Sequence, residues 1–139
     1  MIKIYDDLLD KNDSNFLLNA LISEVFPWHY GGQVVPSEDS SCDELDDFQF
    51  CNLIYDNMKP TGEDEFNLVS PIINKKELRI ISLIRIKANL LPRRDRIIKH
   101  GFHVDMEFPC TTAIYYVNTC DGYTEFEDGT IVESVQNRF

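Results

Sequence analysis

From residue 79 to residue 135 the chain alternates short runs rich in β-branched and aromatic residues with Gly, Pro and Asp punctuation, a pattern that leaves no room for a long helix. In 79–89, Ser82, Ile84, Ile86 and Ala88 share one face of an extended strand, and Arg85 and Lys87 lie on the other. A basic loop at 92–100 leads into a strand carrying His103-Val104-Asp105. A β-branched and aromatic strand at 111–118 follows, then a turn at Asp121-Gly122, a return at 123–126, a turn at Asp128-Gly129 and a last strand at 130–135. Short strands separated by such turns predict an antiparallel double-sheet fold, mainly β.

The N-terminal third reads differently. Residues 2–5 alternate as a short strand, and Asp13 or Ser14 is placed to cap a helix whose apolar positions are Leu17, Leu18, Leu21, Ile22 and Val25. Pro27 ends it, and Trp28, His29 and Tyr30 pass into a Gly31-Gly32 turn. Six acidic residues between 37 and 47 predict an exposed, mobile loop. A strand is expected at 48–55, a break at Pro60-Thr61-Gly62 and a short helix at 63–69, so two helices accompany the sheets. With 139 residues, no repeat and no dividing linker, residues 1–139 read as one domain.

Composition narrows the class. The chain is 43% hydrophobic without an apolar run of membrane-spanning length, and its first residues, Met1 to Asp6, are too charged for a signal sequence. A cytoplasmic protein with no membrane partner is expected. A formal charge of −11 argues against nucleic acid as a partner, because phosphate binding depends on local positive charge that releases counterions. The local exception is Arg93, Arg94, Arg96 and Lys99, four of the 13 Lys and Arg residues, which read as a solvated loop. Cys42, Cys51, Cys110 and Cys120 form no Cys-x-x-Cys and no zinc-like spacing, and are expected to be free thiols in a reducing compartment.

Chemistry concentrates at His103-x-Asp105. Residues two apart on a strand project from one face, so this imidazole and carboxylate can address one ion. They would form two thirds of the 2-His-1-carboxylate triad that leaves open positions on Fe(II). A strand histidine hydrogen-bonded to a carboxylate, with no metal role, presents the same His-x-Asp.

Three segments in order, Gly101-Phe102-His103-Val104-Asp105, Thr112-Ala113-Ile114-Tyr115-Tyr116-Val117-Asn118 and Gly122-Tyr123-Thr124-Glu125-Phe126-Glu127-Asp128-Gly129, resemble the core of the 2-oxoglutarate- and Fe(II)-dependent oxygenases. The chain is most similar to the prolyl-hydroxylase-like branch, including small members from phages and marine bacteria, and Phe26-Pro27-Trp28 and Arg85-Ile86-Lys87-Ala88-Asn89-Leu90 extend the likeness over most of its length. The resemblance implies a double-stranded β-helix, the jelly-roll or cupin-like fold, with Fe(II) and 2-oxoglutarate as cofactors and room for ascorbate. It implies a dioxygenase that hydroxylates a peptidyl proline or another protein side chain, or a small-molecule substrate, with succinate and CO2 as co-products; a homodimer is compatible with it. His103 and Asp105 are then the catalytic metal ligands, Tyr115 the hydroxyl donor to the distal carboxylate of 2-oxoglutarate, and Asn89 a second cosubstrate contact. Trp28 reads as core or as part of a substrate mouth.

The sequence departs from that family in one respect. Relatives carry a distal His on a later strand, followed by an Arg or Lys that pairs with 2-oxoglutarate, whereas no histidine follows His103 here and Asn137-Arg138-Phe139 resembles only the start of that strand. The expectation is a C-terminally truncated copy lacking its last strands, or a site completed by a partner chain. Either way, weak or absent activity is expected of these residues alone. A non-catalytic β-sandwich binding or assembly protein is the alternative, and a nucleic-acid demethylase-like oxygenase, supported only by the 93–99 patch, is a third.

Overall fold

The computed structural model of the chain describes residues 1–35, 43 and 46–139. The expected acidic loop at 37–47 therefore lies outside the described residues except at Asp43, Asp46 and Asp47, as does Cys42. The architecture is two helices with small antiparallel sheets.

Helix α1 (Lys11–Leu21) starts before the expected cap at Asp13 or Ser14, which lie inside it, because Asp10 is the cap. The Asp10 carboxylate accepts from the backbone N–H groups of Asn12 and Asp13 at 2.9 and 3.0 Å, satisfying two of the donors a helix start leaves over. Leu17 and Leu21 are buried as the periodicity requires. Ile22 and Val25 fall beyond the last helical residue and are 67% and 88% exposed. The free carbonyl of Leu21 is taken by the Trp28 indole N–H at 3.0 Å, which folds the chain back under the helix end and sets Trp28 against Phe26 with ring centroids 4.7 Å apart.

Strand β1 (His29–Gly31) pairs with β2 (Gln49–Asp56), the central strand. β2 turns through Asn57-Met58, both at positive φ (49° and 63°), into β3 (Lys59–Pro60), the primed hairpin geometry that matches strand twist. Helix α2 (Glu63–Ile73) follows, with Glu63, Asp64 and Glu65 in its first turn, where the helix dipole favours negative charge. It runs past Pro71, four residues beyond the expected end at Val69. Pro71 cannot donate to the Asn67 carbonyl, but the Ser70 hydroxyl does so at 2.9 Å, so the carbonyl orphaned by the proline keeps a partner.

Strand β4 (Ile86–Leu90) pairs antiparallel along the other edge of β2, completing a four-stranded sheet. Only the end of the expected 79–89 strand is therefore paired. Strands β5 (Tyr123–Glu125) and β6 (Ile131–Glu133) form a separate hairpin whose turn places Gly129 at φ +84°, as the Asp128-Gly129 signal predicts. The expected strands at 103–105 and 111–118 do not form; Tyr116 alone makes a bridge, to Arg138. A strand exists only through a paired neighbour, and among the described residues the outer edge of β4 carries none.

The core lies between the helices and one face of the sheet. Leu8, Leu9, Leu17, Leu21, Phe26, Ile54, Val69 and Ile72 form one buried cluster, flanked by Ile86, Ala88, Tyr115, Val117 and Phe139. Buried polar residues at the start of β2 and along it bond the segments on either side of β1: Asn52 donates to the Pro27 carbonyl at 2.9 Å, Gln49 to the Gln33 carbonyl at 3.2 Å, and Asp47 accepts the Val34 N–H at 2.9 Å. The segment 5–9 is held by 137–139. Tyr5 and Phe139 exchange both backbone hydrogen bonds at 2.9 Å, and the buried Asn137 amide donates to the Leu9 carbonyl and accepts the Leu9 N–H, each at 2.8 Å. Arg138 grips both Asp6 carboxylate oxygens, at 2.6 and 3.2 Å.

Removing the Asn137 amide strands both Leu9 backbone groups, so Asn137→Ala is expected to cost about 2–4 kcal/mol, read as a shift of the urea midpoint at unchanged slope. Acid should weaken the fold by a separate route. The Arg138 hydrogen bond lowers the Asp6 pKa, the Asp13 N–H lowers that of Asp10, and the Thr130 N–H lowers that of Asp128. Groups with lowered folded-state pKa stabilise above the unfolded carboxylate range and lose that contribution as pH falls through their own. Asp13, raised by its hydrogen bond to Asp10, works in the opposite sense. For Asp6, whose lowered pKa comes from the Arg138 contact, the stabilising contribution is lost as pH falls below the unfolded carboxylate range of about 4, so the Asp6→Asn variant should show a shallower acid drop of the thermal midpoint than the unmodified chain.

Candidate functional site

β4 separates two environments. Its inward residues Ile86 and Ala88 lie against the core, whereas Lys87 and Asn89 are exposed. Extended backbone places Arg85, Lys87 and Asn89 on one face. At the head of that face, the Arg85 guanidinium holds the Asp105 carboxylate at 3.1 Å across twenty residues of sequence. This contact brings the loop carrying His103 to the start of β4. Both His103 and Asp105 are exposed. The His103 Nδ1 lies 3.2 Å from the Gly101 carbonyl. In the tautomer that donates this hydrogen bond, Nε2 carries the free lone pair. Asn89, at the far end of the strand, is the cross-strand partner of Cys51.

Tyr115 is placed elsewhere. Its ring is half-buried against the core, as is Val117. Its hydroxyl donates to the Asn137 carboxamide oxygen at 3.0 Å and lies 3.4 Å from the Ser14 hydroxyl. Burial raises its pKa, so the phenol stays protonated. Tyr115 is thus joined to the contact between the two ends of the described chain rather than to His103 or Asp105. Asn137, buried at a left-handed backbone position (φ 69°), is the hub that motif reading missed. The available signal was the Asn itself in Gln136-Asn137-Arg138, since Asn tolerates that conformation. Arg85 was missed as a site neighbour because its partner is remote in sequence.

Three of the four basic residues of the 93–99 patch, Arg94, Arg96 and Lys99, meet carboxylates of the chain itself. Arg94 and Arg96 reach Asp46 at 3.9 and 2.5 Å, and Arg94 also stacks over the Phe48 ring at 4.6 Å. Lys99 meets Glu125 at 3.1 Å, a hydrogen bond that raises the lysine pKa, and His100 sits 3.5 Å from the buried Asp47 carboxylate. These contacts tie the 94–100 loop to the start of β2 and to β5. Trp28 belongs to the rim of the core, and Cys51, Cys110 and Cys120 are free thiols.

An imidazole nitrogen and a carboxylate oxygen are donor types that Fe(II) accepts. Among the described residues, no three His, Cys, Asp or Glu side chains are gathered closely enough to hold an ion. His103 and Asp105 offer two such donors, but the strand expected to set both on one face does not form, and they make no assembled metal site among the described residues. No described helix is long and apolar enough to cross a membrane.

If the Tyr115 hydroxyl serves the Asn137 contact, Tyr115→Phe should lower stability by about 1 kcal/mol, measured by chemical denaturation without any ligand. Comparison with models of protein families, with curated proteins and with solved structures finds no match.

Proposed function

We propose that the chain carries part of an Fe(II)- and 2-oxoglutarate-dependent dioxygenase of the prolyl-hydroxylase type, in which the small sheets belong to a double-stranded β-helix. The supporting observation is the Arg85–Asp105 contact, which sets the His103-x-Asp105 loop at the head of the β4 face that also bears Asn89. In this reading His103 and Asp105 hold the metal and Asn89 offers an amide to the cosubstrate. Tyr115 contributes its hydroxyl only by exchanging away from Asn137. When bound, Fe(II) and 2-oxoglutarate supply the oxidising chemistry, with succinate and CO2 released, and the chain's residues bind and orient them. The third protein ligand of such a site comes from further sequence or from a partner chain. The substrate class, a peptidyl proline or another protein side chain, follows by analogy with the family.

A second reading is a non-catalytic binding or assembly protein on the same scaffold. The commitment of Asp105 to Arg85 and of Tyr115 to Asn137 favours it, since both side chains already perform structural work. Nucleic acid is the least supported partner, because Arg94, Arg96 and Lys99 are engaged with carboxylates of the chain itself.

Anaerobic titration with Fe(II) and 2-oxoglutarate separates the two main readings. The dioxygenase reading expects the visible charge-transfer band of the chelated cosubstrate, lost in His103→Ala and in Asp105→Ala. Absence of the band in the unmodified chain, and in one extended downstream, would leave the binding-protein reading.

A further inference from the structure

β4 pairs with β2 along one edge, and among the described residues nothing pairs with the other. In an antiparallel ladder alternate residues turn their N–H and C=O toward the partner and the intervening ones turn theirs away, so this outer edge presents free backbone donors and acceptors. Its setting is cationic, in a chain of formal charge −11: between Glu77 and Asp95 the sequence carries Arg79, Arg85, Lys87, Arg93 and Arg94 and no acidic residue. Arg85 and Arg94 meet Asp105 and Asp46, whereas Arg79, Lys87 and Arg93 are exposed and have no ion-pair partner among the described residues. Lys87 follows Arg85 on the same face, one step along from a guanidinium that already holds the carboxylate of an unpaired segment. The opposite face is apolar, with Ile86 and Ala88 packed at the rim of the core and Leu90 39% exposed beyond them.

We propose that the outer edge of β4 receives a strand from an acidic partner: an extended segment alternating carboxylate and apolar side chains, hydrogen-bonded through its backbone to β4, with its carboxylates beside Lys87 and its apolar side chains beside Ile86, Ala88 and Leu90. Strand addition of this kind draws affinity from the main chain and selectivity from every second side chain. A second copy of the chain is the poorer occupant, because a two-fold pairing sets one patch against itself, which here brings Arg85, Lys87 and Arg93 toward their own counterparts. Lysine on an edge strand guards against such self-pairing, and the same charge admits an acidic strand. The acidic surface elsewhere on the chain opposes the partner only weakly at this edge, since exposed charges more than about 8 Å away are largely screened at physiological ionic strength. Docking leaves the Arg85–Asp105 contact in place and needs neither metal nor cosubstrate, so it stands independently of the dioxygenase reading.

The test titrates a fluorescent, end-capped peptide of alternating glutamate and valine with the whole chain, followed by anisotropy. Companion peptides carry the same residues in two blocks, or lysine in place of glutamate, or a methyl group on every backbone amide so that no ladder can form. The alternating glutamate peptide is expected to bind, and Lys87→Glu to weaken it about threefold to tenfold. The lysine peptide should show the reverse preference, binding Lys87→Glu more tightly than the unmodified chain, an exchange that loss of fold cannot produce. The block and N-methylated peptides should bind far more weakly than the alternating one. Failure of the alternating peptide to bind, equal binding by the block or the N-methylated peptide, or an affinity indifferent to Lys87→Glu would each overturn the proposal. So would a dimer, seen by light scattering, that shields the β4 amides from hydrogen exchange, since a second copy would then hold the edge.

Discussion

One carboxamide governs the arrangement of the chain. The Asn137 side chain meets both backbone groups of Leu9 and also receives the Tyr115 hydroxyl, so three segments remote in sequence converge on one buried amide. Its geometry depends on the left-handed backbone at Asn137, a conformation Asn adopts at low cost. Because Leu8 and Leu9 are thereby turned into the core, Asp10 is set to begin α1 immediately afterwards. The position of the first helix is in this sense inherited from a residue at the other end of the described chain. Hydrophobic burial supplies the larger share of the driving force, but the amide decides which segments are buried together.

The central strand plays the complementary part. β2 carries β1 and β3 along one edge and β4 along the other, while Asp47, Gln49 and Asn52, at its start and along it, tie down the segments on either side of β1. β4 then divides labour between its faces. Ile86 and Ala88 anchor the strand, leaving Arg85, Lys87 and Asn89 available for polar chemistry. Candidate metal ligands on an exposed loop are held at this strand through one ion pair, a light tether compared with the apolar anchoring behind it.

Features set by local rules were legible in the sequence. The central strand falls one residue from its expected bounds, α2 begins at Glu63 as read, and Gly129 turns the last hairpin. What escaped depended on side chains acting on backbone. The Asp10 cap moved the start of α1, the Ser70 hydroxyl let α2 pass a proline, and Asn57-Met58 closed a hairpin without a glycine. The strands expected around His103 and at 111–118 illustrate a different limit, since β propensity without a paired edge leaves the backbone to solvent. Of the candidate site, the residue types were readable, but the attachment of Asp105 to Arg85 and of Tyr115 to Asn137 was not, because neither partner lies nearby in sequence.

The pairing of 5–9 with 137–139 also has a temporal side. Leu9 and Asn137 are separated by 128 positions, so during synthesis the first strand-like segment emerges from the ribosome long before the residues that satisfy it. Until then Leu8 and Leu9 have no settled place, and their backbone groups must remain hydrated. Local elements such as α1 and the β2–β3 turn can form in order of emergence, whereas closure of the core waits for a contact across 128 positions, a long-range kind whose loop-closure entropy slows folding. A nascent chain halted before Asn137 would therefore expose the N-terminal leucines, giving chaperones that recognise short apolar segments a defined interval in which to act.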